Sequence, residues 1–453
     1  MKPRPLASVA AAVGGELAGD DIDISSVTID SRQAGPGALF VALAGERTDG
    51  HRFVQDAFAR GASAVLVRHG ADAPAPKVQV SSPADALVRL AADERRRFDG
   101  TVVAVAGANG KTSTKDMTEA VVSTRFQVHA SPGSFNNEIG VPLTLLGAPP
   151  DTEVIVAELG ARRAGDVTVL MPIAQPDAVV ITNVGVAHME IFGSWDAIVR
   201  ASAEPVDAMD RDGVLVLNAD DPVVAGFAGR AHARVVTFGR AQGASVRAEG
   251  VGIGRDGRPT FDLAAGGGRE RVTLAVPGEH MIGNALAAAA VGVELGVPLE
   301  ACAEALARAT VSRWRMEAFQ TPGGVTVLND AYNANPESMA AALKTATVMA
   351  GDRRVVAVLG QMAELGDIGP EQHERAGELA ARLGVDRLIT VGTDAKAIAA
   401  AGLREGFEPD AVASYDDVDA ALEDVRAHIR RGDLVLVKGS RIVGLETLAE
   451  ALR

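Results

Sequence analysis

Only one cysteine, Cys302, occurs among 453 residues, so neither an intrachain disulfide nor a cysteine-built zinc cluster can form, and a reducing, cytoplasmic setting is expected. Aromatic residues are scarce too: they make up 4% of a chain that is 47% hydrophobic, which leaves Ala, Val and Leu to build the cores. No long Lys/Arg run offsets the formal charge of -15, which argues against nucleic acid as a general partner. The longest apolar stretch, residues 284–293, is alanine-rich and falls well short of the roughly 20 residues a membrane span needs. The opening Met1-Lys-Pro-Arg-Pro lacks the apolar centre of a secretion signal.

What the chain does have is concentrated in two short segments. Residues 101–106 are apolar and β-branched, the pattern of a strand buried on both faces. Gly107-Ala-Asn-Gly-Lys-Thr-Ser-Thr114 follows directly. Gly107 and Gly110 let the backbone turn tightly, so that the N–H groups around Ala108 and Asn109 aim at phosphate oxygens. The helix expected from Thr112 and Ser113 onward offers its positive end to the same anion. Lys111 would reach the terminal phosphates of ATP, and the Thr112 hydroxyl would ligate Mg²⁺. The usual motif carries a further glycine where this chain has Val105, so the cradle is a shortened G-x-x-G-K-T. The competing reading, a chance Gly-Lys-Thr turn, sits poorly between a strand and a helix. The second segment, Asn329-Asp-Ala-Tyr-Asn-Ala-Asn-Pro336, lies 215 residues further on and is too polar for a core.

Length suggests about three domains at roughly 150 residues each. They are expected at 1–98, 99–313 and 314–453, each α/β. In the first, strand-like runs at 22–27, 38–42 and 64–67 alternate with helical ones at 52–60 and 84–97. The second places strands at 154–157, 178–182 and 213–218 on a mostly parallel sheet, with the glycine-rich 240–277 as an appended hairpin or meander. The third has strands at 325–328, 355–359, 387–391 and 434–437.

Polar residues gather where strands of such sheets end and ligands bind. Glu158 would hold Mg²⁺ across the cradle, or is a solvated strand-end glutamate. His188 is a candidate metal ligand or a structural histidine. Asn136 and Asn137 would bond substrate or phosphate, or form a polar turn.

Five segments together resemble the Mur ligases of peptidoglycan synthesis. They are the phosphate cradle, the run from Asn136-Asn-Glu-Ile-Gly140 onward, Glu158-Leu-Gly, Ile181-Thr-Asn-Val-Gly-Val-Ala-His188 and Lys438-Gly-Ser-Arg441. Asp30-Ser-Arg32, residues 37–43 and Asp49-Gly-His51 are similar to the family's UDP-sugar-binding domain. Asp330-x-Tyr-Asn-Ala-Asn-Pro-x-Ser-Met339 and Leu359-Gly-x-Met-x-Glu-Leu-Gly366 resemble the branch that adds D-alanyl-D-alanine. The likeness runs from about residue 25 to 446.

The resemblance implies an N-terminal UDP-substrate domain, a central P-loop-like ATPase domain and a C-terminal Rossmann-like domain. It further implies ATP-dependent joining of D-alanyl-D-alanine to a UDP-N-acetylmuramoyl-tripeptide through an acyl phosphate, by an enzyme expected to be monomeric. Carried over by position, Thr112, Glu158 and His188 correspond to Mg²⁺ ligands, Asn284 to the adenine-reading asparagine and Asp330 to the ribose-binding aspartate. Arg315 corresponds to a linker arginine near the phosphates, acting with Lys111, Glu158 and His188 in catalysis. Ser31, Arg32, Asp49 and His51 would approach the UDP end, while Tyr332, Asn333 and Asn335 would line the dipeptide and closing interface. Plainer roles stay open: Asn284 as a helix cap, Arg315 in a surface ion pair, Tyr332 as half-core, and Asp49-Gly-His51 as a tight turn. A folylpolyglutamate-synthase-like ligase, another Mur sibling and a non-catalytic nucleotide binder are the alternatives.

One position departs from the family pattern. Many relatives carry a lysine fourteen residues after the metal histidine and carbamylate it to help a second Mg²⁺; this chain has Ser202 there, in Ala201-Ser-Ala-Glu204, followed by Pro205. Either the site has drifted in an active enzyme, or Glu204 or a bound anion supplies the missing charge, or catalysis is impaired.

Overall fold

In the N-terminal region, apolar β-branched runs line up as Glu16–Ala18, Lys77–Val80, Ala64–Arg68, Ala38–Val41 and Ser26–Thr28, in that spatial order. All pairs are parallel except the Glu16–Ala18 edge. This is a computed structural model, which describes residues 1–45 and 48–453. The run expected at 22–27 is not one strand. Asp23–Ile24 pairs with Arg4–Pro5, whereas Ser26–Thr28 joins the sheet, because Ser25 and Ser26 both donate to the Gly37 carbonyl and turn the chain between them. The helix expected at 52–60 begins as a 3-10 turn, Gly50–Phe53, and becomes α-helical only over Val54–Ala59.

The central sheet has nine strands. Parallel strands Val128–Ala130, Val154–Glu158, Thr101–Ala106, Ala178–Ile181, Val214–Asn218, Arg234–Gly239 and Val246–Ile253 neighbour one another in that order. Pro259–Ala265 and Gly268–Thr273 extend the edge as an antiparallel meander. Thr101–Ala106 sits inside, between Val154–Glu158 and Ala178–Ile181, so the loops that follow these three strands emerge side by side. Register pairs Glu158 with Val105, so its carboxylate stands beside the start of the Gly107 loop.

Behind the loop, the helix Lys111–Val122 packs on Met281–Glu294. The alanines at 285 and 287–290 are buried there, and a Cβ on Gly292 would stand 2.4 Å from a Val121 methyl. Small side chains are what permit this approach. The C-terminal sheet orders Glu317–Gln320, Thr326–Asn329, Leu434–Lys438, Val355–Gly360, Arg387–Val391 and Val412–Tyr415, with only the first pair antiparallel. One apolar cluster runs from the central sheet through Met316 into Leu328, Leu343 and Leu436, joining the two domains. The architecture is α/β: three main sheets, mostly parallel, and the two-stranded antiparallel pair of Arg4–Pro5 with Asp23–Ile24. No helix among the described residues is long and apolar enough to cross a membrane.

Candidate active site

A cavity of about 1240 Å³ opens between the carboxyl ends of the central and C-terminal sheets. The Gly107 loop forms one wall. Gly107 (φ +128) and Gly110 (φ +78) occupy backbone that side chains rarely adopt, and a Cβ at either would strike Thr182 Oγ1 at 2.1 Å or Asn284 Oδ1 at 2.4 Å. The loop's tip is tied down: Asn109 N–H donates to Asn183 Oδ1 at 2.8 Å, and its carbonyl accepts from Thr182 Oγ1 at 2.7 Å and Asn183 Nδ2 at 3.0 Å. The 12-residue helix Lys111–Val122 has no side-chain cap at Gly110, so its first N–H groups are left for an anion.

Lys111 is half-buried and donates to the Gly107 and Ala108 carbonyls at 2.7 and 3.2 Å. Burial pulls its ammonium below the ordinary value, with Glu158 opposing the shift and Arg315 adding to it. Glu158 is 1% exposed. One of its oxygens accepts from Thr112 Oγ1 at 2.7 Å, the other from Asn136 Nδ2 at 2.7 Å. This hydroxyl–carboxylate pair is a hard-oxygen donor set, which suits Mg²⁺. Among the described residues, no three acidic, histidine or cysteine side chains cluster at metal-holding spacing. Thr112 Oγ1 and Glu158 could serve a cation whose remaining ligands are phosphate oxygens and waters. His188 lines the same cavity, in left-handed backbone at φ +59. Burial lowers its pKa against the opposing pull of the Glu364 carboxylate, which accepts from its Nδ1.

The opposite wall comes from the C-terminal domain. Asp330 accepts from Met316 N–H at 3.0 Å and forms a buried ion pair with Lys438. Arg315 stacks 4.0 Å from the centroid of the Tyr332 ring, and its buried Nε has no hydrogen-bond partner. It makes no surface ion pair among the described residues. Tyr332 Oη reaches Ser134 Oγ across the cleft through a hydrogen bond. Asn335 Oδ1 caps the helix Pro336–Ala350 by accepting from Ser338 N–H at 2.9 Å, while its Nδ2 donates to Asn109 Oδ1 at 2.6 Å. Asn333 is exposed on the cavity, with its carbonyl on Lys438 at 3.0 Å. Asn284 lies inside the helix Met281–Glu294 and does not cap it; Thr114 Oγ1 donates to its Oδ1 at 3.3 Å.

Four candidates stand apart from this cavity. Arg32 is 80% exposed and paired with Asp30, and Ser31 begins the short turn beside it. Asp49 accepts from both the His51 backbone and its Nδ1, and His51 Nε2 accepts from Arg68 N–H at 3.0 Å. The Asp49-Gly-His51 segment is thus a tight turn, tied to the end of the strand Ala64–Arg68 through His51 and to Leu43 through the Gly50 N–H. Within the cavity wall, Asn137 accepts from Gly140 N–H at 2.8 Å, capping its own turn. Glu204 accepts from the N–H groups of Gly165 and Thr168 at 2.6 and 2.9 Å. Its charge is therefore spent at the start of the helix Asp166–Ala174, not in the cradle.

Sequence reasoning gave no role to Lys438, Asn183, Ser134 or Glu364. Lys438 was open to discovery, since a lysine closing the apolar Leu434–Lys438 strand is 1% exposed and needs a partner. Ser134 carries no such local signal.

Fold and site together define a class: an α/β protein of three main sheets, with a glycine-rich strand-to-helix loop in the cleft between the second and third. Three family patterns match along the chain: "Mur ligase family, catalytic domain" at 23–95, "Mur ligase middle domain" at 105–292 and "Mur ligase, glutamate ligase domain" at 314–441. The UDP-N-acetylmuramoyl-tripeptide–D-alanyl-D-alanine ligase of Mycobacterium tuberculosis is 40% identical over 99% of this chain and 97% of its own length. The Bacillus subtilis ligase of the same description is 34% identical over 100% and 99%. A crystal structure of MurF from Acinetobacter baumannii superposes with a TM-score of 0.88 at 30% identity, covering 100% of this chain and 99% of that one. MurF from Thermotoga maritima, in complex with ADP, gives 0.81 at 28% identity over 94% and 96%. This chain belongs to the Mur ligase family. Folylpolyglutamate synthase of M. tuberculosis, at 20% identity and TM-score 0.64 over 82% of this chain and 94% of that one, shares the fold alone.

Proposed function

We propose that the chain is an ATP-dependent ligase joining D-alanyl-D-alanine to the terminal carboxylate of a UDP-N-acetylmuramoyl-tripeptide. Residues 1–98 carry the UDP end of the substrate, 99–313 the nucleotide, and 314–453 close over both. The observation that carries this reading is the Asn335–Asn109 bond at 2.6 Å, which joins the two signature segments of the sequence in one cleft.

A carboxylate is a poor electrophile because oxide leaves badly. Its oxygen attacks the γ-phosphorus of ATP, ADP departs, and the acyl phosphate then yields to the amine of the dipeptide. A proton leaves the nitrogen, the tetrahedral intermediate collapses, and inorganic phosphate is released. Every charged participant in the first step is an anion, so the site must supply cations where charge builds up. Lys111 and Arg315 are the proposed protein cations. Thr112 and Glu158, with His188 as a third candidate, would hold Mg²⁺, which when bound neutralises phosphate oxygens. Asn136 and Asn137 flank that end, Asn136 by steadying Glu158. Asn284 and Asp330 are proposed for adenine and ribose, Tyr332 and Asn333 for the dipeptide, and Ser31, Arg32, Asp49 and His51 for the UDP end.

A monomer is the working unit in this proposal. A cytoplasmic location, where ATP is supplied, belongs to the same proposal. The test is mass spectrometry of the product from ATP, UDP-N-acetylmuramoyl-tripeptide and D-alanyl-D-alanine. A product heavier than the tripeptide by the dipeptide less one water is expected. Its absence, or equal phosphate release without the dipeptide, overturns the reading; ligation of glutamate in place of the dipeptide favours the folylpolyglutamate-like alternative.

A further inference from the structure

The reaction as proposed leaves one signature loop unused. It spans residues 361–366, between the strand Val355–Gly360 and the turn Gly366–Ile368. This loop is braced from behind. Met362 N–H donates to His373 Nε2 at 2.8 Å, Ala363 N–H donates to Ser440 Oγ at 2.9 Å, and Ser440 N–H donates to the Gln361 carbonyl at 3.0 Å. His373 is fixed in turn by the Gly369 carbonyl, 2.7 Å from its Nδ1.

So held, the loop offers one carboxylate across the domain boundary. Glu364, at φ +61, places one oxygen on His188 Nδ1 and the other 2.6 Å from Arg162 Nη2, and its carbonyl accepts from Glu190 N–H at 3.1 Å. Two non-glycine residues in left-handed backbone thus face each other, a conformation that persists only where its surroundings over-determine it. Gly366 (φ +56) makes the approach possible, since a Cβ there would stand 3.1 Å from Glu190 Cα.

We propose that Glu364 is a positioning residue that makes the readiness of His188 depend on docking of the C-terminal domain. A carboxylate only accepts, so the bond requires the proton on Nδ1 and leaves the Nε2 lone pair free. Carboxylates on the far nitrogen orient an imidazole and strengthen it as a ligand. Here that carboxylate belongs to a different domain, so tautomer and ring orientation are set only when the domains meet. By linkage, whatever binds Nε2 favours docking by the same factor. The proposal rests on the reading of His188 as a cation ligand.

The experiment uses the full chain. With no metal or nucleotide present, the ¹⁵N signals of the His188 ring should report a protonated Nδ1 in the unmodified protein and a tautomer mixture in Glu364→Ala. Binding of Mn²⁺ with a non-hydrolysable ATP analogue, read by electron paramagnetic resonance, should weaken about 10-fold in Glu364→Ala. Glu364→Asp should recover part of that loss. Gly366→Ala, which keeps the carboxylate but obstructs docking, should reproduce it. Unchanged ring signals and unchanged Mn²⁺ binding in Glu364→Ala overturn the proposal. If His188→Ala binds Mn²⁺ as tightly as the unmodified protein, the reading of His188 falls and the proposal falls with it. Weakening in His188→Ala but not in Glu364→Ala defeats the proposal alone.

Discussion

The two walls of the cleft are secured in different ways. On the phosphate-loop side, Asn109 is held by Thr182 and Asn183, and Glu158 by Thr112 and Asn136, all within the central domain. The facing wall is assembled from distant pieces. Asp330 depends on Lys438, Tyr332 on Ser134, and Glu364 on His188 and Arg162. One wall is a template preorganised by its own sheet. The other takes its working form from contacts that cross between strands or domains, so substitutions on the two sides should fail in different ways.

The largest effect is expected on the template. Lys111→Ala removes the cation inside the cradle and should lower kcat by about 10³-fold, as loss of a preorganised electrostatic group does. The variant's melting temperature should hardly move, because among the described residues the Lys111 ammonium bonds only to the carbonyls of its own loop. Dipeptide-dependent phosphate release and a thermal melt test both halves; undiminished turnover breaks the comparison at once. On the facing wall the order reverses. Lys438→Met leaves the Asp330 carboxylate, 15% exposed, without its ion-pair partner, whose side chain is 2% exposed. Breaking such a pair costs about 3 kcal/mol. A melt lowered by several degrees is expected, partly restored by adding Asp330→Asn. A melt matching the unmodified protein would mean that wall is not held by its ion pair.

The same contrast explains what could be read from the sequence. The phosphate loop was legible because strand, glycines, lysine and helix follow one another, and a local pattern suffices to build it. Asn335 was legible as a polar residue of the candidate cleft, but not its two hydrogen bonds. Capping is a local pattern, whereas the bond to Asn109 joins positions 226 apart. Lys438 and Glu364 lay inside recognisable motifs, yet their partners, Asp330 and His188, are set by sheet order and docking. The short edge strands Glu317–Gln320 and Val412–Tyr415 escaped notice because pairing rather than composition makes them strands. In the N-terminal region, residues 22–27 read as one strand because alternation says nothing of a change of partner.

A smaller effect sharpens the comparison by separating the two roles of Asn335. Asn335→Asp keeps the oxygen that caps Pro336–Ala350 and loses the donor to Asn109. Aspartate caps helices as well as asparagine does, so stability should be preserved. Loss of one hydrogen bond between the walls, about 1.4 kcal/mol, should lower kcat/KM about 10-fold. Asn335→Ala should lose both. If Asn335→Asp keeps full activity, the bond between the walls is a bystander, and closure must rest on Tyr332 and Glu364.

The smallest effect approaches the template from behind. Ser202 lines a cavity of about 40 Å³ with Lys111, His188, Leu159, Phe192, Ile198 and Pro205. Ser202→Lys would drive a long chain into that space, where overpacking costs about 1 kcal/mol at its mildest. The new ammonium would also face Lys111, a like charge. Carbamylation of that amine by dissolved carbon dioxide reverses its sign, turning repulsion into attraction within a poorly solvated pocket. Bicarbonate should therefore raise the activity of Ser202→Lys and lower the Mg²⁺ concentration it needs, while leaving the unmodified chain indifferent. Identical Mg²⁺ titrations for the two proteins, with and without bicarbonate, would show that the pocket behind the cradle does not communicate with it.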